Sequence, residues 1–369
     1  MSNSPFYLPL TLACVDSNRI LSPINPAYTI SEVESQIKVS NSALAITDSP
    51  QIYSSLLESG HDVILLTAEF LDSLVITPTA ISTTISTPNT NSTTALLPFS
   101  SGTTGLPKGT MLSQDNLIAN LLQLEAIEGD VVKSANSIIS PLPEFHIYAF
   151  LVAMLFPAML GTTTISLKKF TLEGFCELVE THKPSRAYLV PPIILNLAKE
   201  TNTTDKYDLT SLTSVTSAAA PLSLEITNEF NTKFKNSIIL KQAWGMTELS
   251  PVGTFSPDNK NKAGSVGPLA PNTIGKIVSV KNGELLPPGE ENVGELCLAG
   301  PQVMLGYYGN EEATKATVVD GWLKTGDIAY ADDEGYFFVV DRIKELIKVK
   351  GFQVAPDRDL DLLRRNRFA

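Results

Sequence analysis

Amphipathic stretches alternate with short apolar runs along most of the chain. Residues 30–41, ISEVESQIKVSN, repeat apolar side chains at Ile30, Val33 and Ile37, and this spacing predicts an amphipathic helix. The runs ALAIT and DVILLT that follow are each bounded by polar turn residues, which is typical of buried parallel strands. Strand and helix signals keep alternating to about residue 245. We therefore predict an α/β fold of layered parallel sheets flanked by helices.

The spacing of the apolar runs changes from Gly264 onwards. The runs GKIVSV, GELCLAG and GYFFVVD are short, and the turn-rich segments NGELLPPGEENVG and ADDEG separate them. This pattern predicts a small antiparallel, β-barrel-like unit that follows the α/β part. The longest apolar run, AFLVAMLFPAML at 149–160, is too short to cross a bilayer and predicts a buried helix.

The composition argues against several classes of function. The 369 residues include 27 basic and 39 acidic ones, and the formal net charge of −12 disfavours a nucleic-acid partner, because phosphates need a basic surface. Three histidines and three dispersed cysteines (Cys14, Cys176 and Cys297) favour neither a histidine-rich metal centre nor a disulfide framework, and we expect buried thiols. The first residues lack a basic n-region, so we predict no secretory signal and a cytoplasmic location, with a peroxisomal one as the alternative.

Residues 98–109, PFSSGTTGLPKG, concentrate glycine, hydroxyl residues and one lysine in a single loop. The spacing does not fit the Walker pattern, because Pro107 and Gly109 stand where that pattern needs a glycine and a hydroxyl residue; the dinucleotide-binding glycine spacing fails as well. The glycines let backbone N–H groups converge on an anion, and Lys108 adds a mobile positive charge. A plain surface turn is the alternative. A strand before the loop and a helix after it, for which Ser113 is the predicted N-cap, favour phosphate binding.

Further motifs each have a chemical and a purely structural interpretation. In QAWGMTE (242–248), an indole beside a glycine bend can face an adenine and Glu248 can hold Mg²⁺, but these residues alone favour a core tryptophan and a solvated glutamate. The acid that ends GWLKTGD (321–327) can bind two vicinal hydroxyls or cap its own turn. His146 in PEFHIYAF fits a core histidine, and the lysines of DRIKELIKVKG fit a solvated basic face.

The segment FSSGTTGLPKGTMLSQDNL closely resembles the signature of the acyl-adenylate-forming enzymes (the AMP-dependent synthetase and ligase superfamily), especially the branch that contains 4-coumarate:CoA ligase and firefly luciferase. Other segments resemble the same family in the same order: LSPINPAYTISEV, PEFHIYAF, KQAWGMTELSPV, GSVGPLAPN, GELCLAGPQVMLGYY and GWLKTGDIAYADDEGYFFVVDRIKELIKVKGFQVAP. The resemblance covers residues 3–356. It implies an acid–thiol ligase that uses ATP, Mg²⁺ and coenzyme A. A small carboxylic acid, aromatic or fatty, would become an acyl-AMP and then a coenzyme A thioester.

The resemblance also implies roles for residues of the nucleotide site. Trp244 stands where the family usually has tyrosine and would stack on adenine, Thr247 would contact the α-phosphate and Glu248 would bind Mg²⁺. Asp327 would hold the ribose with help from Arg342. The remaining residues assigned to the nucleotide are Ser100, Ser101, Gly102, Thr103, Thr104, Lys108, Gln242 and Ala243. Of these, Ala243 replaces a usual glycine and adds a methyl group beside the nucleotide.

For the acid and coenzyme A, the resemblance implies two further sets of residues. His146 would line the carboxylate end of the acyl pocket and belong with Thr247, Lys348 and Gln353 to the catalytic set. The pocket wall would comprise Tyr148, Ala219, Gly245, Pro251 and Val252, and Ala218 replaces another common glycine. Lys344 would lie at the hinge of a swinging domain, and Lys169, Lys350 and Gly351 would approach coenzyme A.

Both ends of the sequence depart from the family pattern. After residue 356 the sequence DRDLDLLRRNRFA is unlike the family, so we expect that the C-terminal swinging domain and its lysine are absent and that the front is shortened. The alternative to an active ligase is an impaired nucleotide- or acyl-binding remnant, or a gene-model fragment. We predict a partial first α/β subdomain (1–72), a Ser/Thr-rich connector (73–94), a nucleotide- and acyl-binding α/β subdomain (95–262), a small β subdomain (263–340), and a hinge with a truncated tail (341–369).

Overall fold

The computed structural model describes residues 1–67, 69–70, 93–100 and 107–343, together with the backbone of two strands after residue 346. The helices in this part of the chain are α1 (Tyr7–Asp16), α2 (Ile30–Ser40), α3 (Pro50–Glu58), α4 (Gln114–Lys133), a π-helix (Tyr148–Leu155), α5 (Phe156–Leu160), α6 (Leu172–His182), α7 (Pro191–Lys199), α8 (Thr201–Thr204), α9 (Leu224–Lys233), α10 (Glu311–Thr317) and two 3₁₀ turns (Thr247–Leu249, Asp258–Lys260).

The strands are β1 (Ala45–Thr47), β2 (Val63–Leu65), β3 (Thr94–Leu96), β4 (Phe99–Ser100), β5 (Lys108–Ser113), β6 (Ile138–Ser140), β7 (Thr164–Ser166), β8 (Arg186–Leu189), β9 (Ser214–Ser217), β10 (Ile239–Gly245), β11 (Val252–Phe255), β12 (Ile274–Val278), β13 (Leu285–Leu286), β14 (Gly294–Ala299), β15 (Gly306–Tyr307), β16 (Val318–Val319), β17 (Trp322–Ala331), β18 (Phe337–Arg342), β19 (Ile347–Val349) and β20 (Phe352–Val354). Most of the predicted connector, residues 73–92, lies outside the described residues, so that assignment stays a prediction.

The first layer contains the two strands and the helix that the hydrophobic pattern predicts. Strands β1 and β2 pair in parallel, and α2 packs beside α3 over them. Val33 and Ile37 on α2 and Leu56 on α3 form its buried apolar cluster. The helix begins at Ile30 because the Glu32 carboxylate accepts the Thr29 N–H at 2.7 Å, a local bond that favours the first helical turn.

The central sheet has the predicted parallel arrangement. Its six strands run in the order β11-β10-β9-β8-β6-β7, with parallel pairing from β10 through to β7 and an antiparallel edge strand β11. One face packs on α6, α7 and α9 through a cluster that includes Phe175 and Phe230. The other face carries Ile138 and Tyr188 and packs on α4 and the π-helix. Helices cover both faces, as the alternating pattern predicts.

The long apolar run forms a helix, as predicted, in two sections, and it is buried except near its end, where Ala158 and Met159 are exposed. The first section is the π-helix, whose residues from Tyr148 to Met154 are all buried, and α5 continues it to Gly161, where the chain turns in a left-handed conformation (φ 75°). Gly161 suits that turn because it lacks a Cβ atom. In the described part of the chain, no helix is long and apolar enough to span a membrane.

The region around the glycine loop differs from the expected strand–loop–helix order. Strands β4 and β5 flank the loop and pair antiparallel, with Ser100 opposite Lys108. Helix α4 begins only after β5, where Ser113 accepts the Asn116 N–H at 3.0 Å, so the predicted N-cap is confirmed. The expected order was wrong because β5 is held in a sheet between β3 and β15, which places six residues between the loop and the helix.

The predicted antiparallel unit is also present. Strands β13-β12-β14-β17-β16 form one antiparallel sheet, and β18 pairs with β17. None of the three cysteines, all of which lie in the described residues, forms a disulfide: Cys176 and Cys297 are buried, as expected, whereas Cys14 is half-buried. The subdomain limits that we drew from the sequence stay predictions.

Candidate active site

The carboxyl ends of the parallel strands open into a cleft of about 770 Å³. Ala218 and Ala219 follow β9 at its floor, and the end of β10 supplies Trp244. The antiparallel sheet closes the opposite side with Lys324 on β17 and Arg342 on β18. Ligand sites in open α/β sheets commonly lie beyond the carboxyl ends of the strands, and this cleft has that position.

One end of the cleft contains what we call the Glu248 cluster, formed by Ser100, Lys108, Glu248 and Tyr307. The 3₁₀ turn after β10 buries Glu248, whose carboxylate accepts the Tyr307 hydroxyl at 2.7 Å and the Ser100 hydroxyl at 3.3 Å. The Lys108 Nζ atom lies 4.6 Å from the centre of the Tyr307 ring. Burial, and then the charge and hydrogen bond of Glu248, raise the pKa of Tyr307, so its hydroxyl stays protonated and donates.

The Glu248 cluster suits a metal ion whose ligands come partly from the protein and partly from a phosphate. Among the residues that the structure describes, no group of three His, Cys, Asp or Glu side chains is placed to hold a metal ion. Mg²⁺, by contrast, is commonly held through one or two carboxylates together with phosphate oxygens and water, and Glu248 provides such a carboxylate.

Trp244 and Arg342 line the cleft, and the buried Asp327 bonds to both of them. The Trp244 Nε1–H donates to Asp327 Oδ2 at 2.9 Å, and the Arg342 Nε–H donates to Asp327 Oδ1 at 3.1 Å. Asp327 is buried on β17 and lies directly opposite Arg342 on β18 in the strand register. The carboxylate is thus held by one donor on each oxygen, beside an aromatic face that lines the cleft.

His146 and Tyr148 form the other end of the cleft. The Tyr148 N–H donates to His146 Nδ1 at 3.2 Å, so in the neutral imidazole the proton resides on Nε2. Desolvation by the cleft walls lowers the pKa of His146 and favours that neutral form. The Tyr148 hydroxyl donates to the Thr216 carbonyl at 3.3 Å, and burial raises its pKa. The remaining walls are apolar or small: Phe145, Ile147, Ala218, Ala219, Ala243, Gly245, Pro251, Val252 and Phe255.

Thirteen of the residues singled out in the sequence line this one cleft: Ser100, Lys108, His146, Tyr148, Ala218, Ala219, Ala243, Trp244, Gly245, Thr247, Glu248, Pro251 and Val252. Arg342 also lines the cleft, whereas Asp327 is not part of the lining and bonds to Trp244 and Arg342.

Two further predicted residues do not line the cleft. The Gln242 side chain accepts the Leu222 N–H at 3.3 Å and is not part of the lining. Lys169 is an exposed residue that does not line the cleft. The other predicted residues lie outside the described residues, entirely or in their side chains: Ser101, Gly102, Thr103, Thr104, Lys344, Lys348, Lys350, Gly351 and Gln353.

The sequence did not single out several lining residues. Tyr307 is the most important of these, because it connects Lys108 to Glu248; it lies within GELCLAGPQVMLGYY, a segment already noted for its resemblance. Glu295 lines the cleft from β14 and accepts the Gly326 N–H at 3.2 Å, which fixes the turn before Asp327. No local pattern marks Glu295 as more than an exposed strand residue.

The fold is that of the adenylate-forming enzymes: the chain aligns with the structure of ATP-bound MatB from Rhodopseudomonas palustris at a TM-score of 0.83 and 26% identity, over 97% of this chain and 70% of that one. The chain belongs to the AMP-binding enzyme family, whose model matches residues 1–308.

Curated relatives agree with this family. The chain is 45% identical to the probable 4-coumarate–CoA ligase 3 of Dictyostelium discoideum over 253 residues, which are 68% of this chain and 45% of the relative. It is 38% identical to the 4-coumarate–CoA ligase-like 9 protein of Arabidopsis thaliana over 364 residues, 96% of this chain and 64% of that protein. The chain therefore spans about half to two thirds of the length of these relatives.

Proposed function

We propose that this chain provides the adenylating site of an acyl-CoA ligase, which activates a carboxylic acid with Mg·ATP and passes the acyl group to coenzyme A. The observation that carries the proposal is the mixed lining of this one cleft. The lining includes a lysine, hydroxyl donors and a carboxylate around Glu248, and also His146 together with apolar residues such as Phe145 and Ile147. Adenylation needs both properties in one site, because the reaction joins a carboxylate to a triphosphate.

In the first step, a carboxylate oxygen of the acid attacks the α-phosphorus of ATP, and the bond to the bridging oxygen of pyrophosphate breaks. Lys108 and Ser100 would contact the leaving phosphates, and Thr247 the α-phosphate. The neutral His146 would donate its Nε2–H to the acid carboxylate and orient it for attack. Mg²⁺, when bound through Glu248, supplies positive charge that offsets the charge of the phosphates. Positioning and charge stabilisation are the main sources of catalysis in such transfers.

Trp244 and Asp327 would position the nucleoside. The indole face would stack on the adenine, and the Asp327 carboxylate would accept hydrogen bonds from the ribose hydroxyls. In the second step, the thiol of coenzyme A attacks the acyl carbon, the carbon–oxygen bond to AMP breaks, and the thiol proton is lost. Lys348 and Gln353 beside the adenylate, and Lys350, Gly351 and Lys169 beside coenzyme A, remain proposals that rest on the family resemblance.

The apolar end of the cleft favours an acid with an apolar body. Phe145, Ile147, Tyr148, Val252 and Phe255 present hydrocarbon or aromatic surface there, and small residues between them leave room. The names of the relatives support an aromatic acid of the 4-coumarate type. A fatty acid fits the same lining, so the proposed substrate class is an aromatic or fatty monocarboxylic acid.

The direct test is pyrophosphate release from Mg·ATP by the purified chain with 4-coumarate, ferulate, octanoate or palmitate, each compared with a reaction without acid. We expect release that depends on one class of acid. Asp327→Asn should lower the rate about tenfold or more, because the ribose loses its charged acceptor. Asp333→Asn, at an exposed turn of the same sheet, is the matched control and should keep the wild-type rate.

Two outcomes separate the proposal from its alternative. ATP binding without acid-dependent pyrophosphate release would support the impaired nucleotide-binding remnant and contradict the ligase. Release that is unchanged in Asp327→Asn would contradict the assignment of this cleft as the adenylating site.

A further inference from the structure

The indole of Trp244 is held at two opposite edges, and this arrangement has a role beyond stacking. One edge carries the Nε1–H that donates to Asp327. The opposite edge, atoms Cε3 and Cζ3, lies against the backbone of β11 at Gly253. A Cβ atom at Gly253 would lie 2.5 Å from Cζ3 and 2.9 Å from Cε3, so only glycine leaves room for the ring in this position.

The strand pairing explains why these groups meet. Trp244 on β10 lies opposite Thr254 on β11, next to Gly253, and a register shift follows Trp244 in β10. Asp327 reaches the same point from β17, 83 residues further along the chain. A phenylalanine ring at position 244 has no donor, and the indole presents its N–H at the edge that faces Asp327.

We propose that Trp244 is a positioning residue for Asp327 and that Gly253 seats its indole. The inference rests on the proposed function and deepens it: the Trp244 N–H fixes the Asp327 carboxylate in the orientation that accepts the vicinal hydroxyls of a ribonucleoside. Arg342 holds the other oxygen, so the plane of the carboxylate is set from both sides. Selectivity for a ribose with both hydroxyls then depends on Trp244, a residue that does not itself contact the sugar.

The test compares the dissociation constants of ATP and 2′,3′-dideoxy-ATP, measured by isothermal titration calorimetry with wild type and Trp244→Phe. The phenylalanine keeps an aromatic face but loses the donor. We expect the preference for ATP over the dideoxy compound to fall by about tenfold, the usual effect of losing a hydrogen bond to a charged group. If Trp244 only stacks on the adenine, Trp244→Phe should weaken the binding of both nucleotides equally. The preference for ATP would then be unchanged, which would overturn the proposal.

Two further variants sharpen the result. Asp327→Asn should remove most of the preference, and adding Trp244→Phe to it should change the preference by less than about twofold, because both changes act on one bond. A Cβ atom at Gly253 would also lie 2.9 Å from Leu249 Cδ1, and that contact is common to both backgrounds. Gly253→Ala should lower the preference in the wild-type background and have a smaller effect beside Trp244→Phe, because the phenylalanine ring lacks the indole Cζ3 atom that the methyl group would meet at 2.5 Å. Equal effects of Gly253→Ala in the two backgrounds would contradict the seating role.

The same titrations separate this inference from the proposed function. Wild-type protein that fails to bind ATP would overturn both. Wild-type protein that binds ATP and prefers it over the dideoxy compound, with a preference that Trp244→Phe leaves intact, would overturn only the positioning role.

Discussion

Two groups of charged side chains lie along or just beyond the same strand, β10, and they differ in whether their charges are paired with each other. The first, the buried ion cluster, consists of Glu128, Arg186, Lys241 and Asp258. Arg186 bonds Glu128 at 2.6 Å and Asp258 at 2.7 Å, and Lys241 bonds Asp258 at 2.6 Å and also contacts Glu128. Two cations thus face two anions, and the Lys241 and Glu128 side chains are fully buried.

The Glu248 cluster lies just beyond the end of β10 and lacks this internal balance. Glu248 accepts from the neutral hydroxyls of Tyr307 and Ser100, and Lys108 lies over an aromatic ring. Within the described ranges, no salt bridge includes Glu248 or Lys108. Buried charges that already pair with each other have a structural role. Separated charges of both signs at a cleft, by contrast, can pair with the charges of a ligand.

The pKa of Asp258 reflects the balance in the buried ion cluster. Burial alone would raise the pKa of this carboxyl group. The hydrogen bond from Arg186 and the charge of Lys241 outweigh burial and hold the pKa below its usual range. Asp258 is therefore ionised at neutral pH and completes the pairing that keeps α4, β8 and β10 together.

The largest expected effect is on stability and comes from Lys241→Met. Removing this cation leaves two buried carboxylates facing one arginine, and breaking a buried ion pair typically costs about 3–5 kcal/mol of unfolding free energy. Urea denaturation measures the loss. The control Lys315→Met removes an exposed pair with Glu311 on α10 and should cost less than about 0.5 kcal/mol. A loss below about 1 kcal/mol in Lys241→Met would contradict the structural role of the cluster.

Glu248→Gln should have a small effect on stability and a large effect on the rate of pyrophosphate release, the reverse of what a structural ion pair predicts. The glutamine can still accept the Tyr307 hydroxyl, so the free energy of unfolding should change by less than about 1 kcal/mol. Pyrophosphate release should fall about 100-fold, because the charge that would bind Mg²⁺ is gone. Glu290→Gln, on an exposed turn of the antiparallel sheet, should keep the wild-type rate. If Glu248→Gln lost stability and kept the wild-type rate of pyrophosphate release, Glu248 would have a structural role like that of the buried ion cluster, which would contradict our account.

Tyr307→Phe tests the connection between Lys108 and Glu248 with a smaller expected effect. The variant keeps the ring beneath Lys108 and loses the hydroxyl that donates to Glu248, so kcat/KM for ATP should fall about fivefold. Tyr307→Leu also loses the ring, and its kcat/KM for ATP should fall about a further threefold. If Tyr307→Phe is as impaired as Glu248→Gln, the hydroxyl has a larger role than orienting the carboxylate.

The smallest effect is a pH dependence of stability that comes from His146. Desolvation by its neighbours lowers its pKa in the native protein although the residue keeps solvent-exposed surface, so below the ordinary value of about 6.5 the unfolded chain binds more protons and stability falls as the pH falls. Denaturation midpoints measured from about pH 8 to about pH 5 should show a shallower decline in His146→Gln than in wild type. His182→Gln, at the exposed end of α6, is the control, and identical declines in all three proteins would contradict the prediction.

Local patterns were sufficient to predict most of the fold. The period of Ile30, Val33 and Ile37 predicted α2, and Ser113 was identified as the cap of the helix that follows β5. The switch to short strands after Gly264 predicted the antiparallel sheet. Strand β5 was missed because its six residues KGTMLS owe their conformation to pairing with β4 and β15, and the pairing with β15 joins residues about 200 positions apart.

The candidate site was predictable in its residue types but not in its contacts. The motifs brought Trp244, Glu248 and Asp327 into consideration; Trp244 and Glu248 line one cleft, and Asp327 bonds to Trp244. The bond between Trp244 and Asp327 and the seat at Gly253 depend on the pairing of distant strands, which no local spacing encodes. Gln242 was assigned to the nucleotide, and in the structure its side chain oxygen accepts the N–H of Leu222, 20 residues earlier in the chain, a contact that no local pattern encodes.

The most direct test of the account is the effect of Mg²⁺ on ATP binding, measured by titration calorimetry in Mg²⁺ and in EDTA with wild type and Glu248→Gln. We predict that Mg²⁺ tightens ATP binding to wild type about tenfold or more and that Glu248→Gln loses this gain while it still binds ATP in EDTA. ATP binding that is equally tight with and without Mg²⁺ in both proteins, or no binding by wild type, would contradict the claim that the charged groups of the cleft pair with the charges of Mg·ATP.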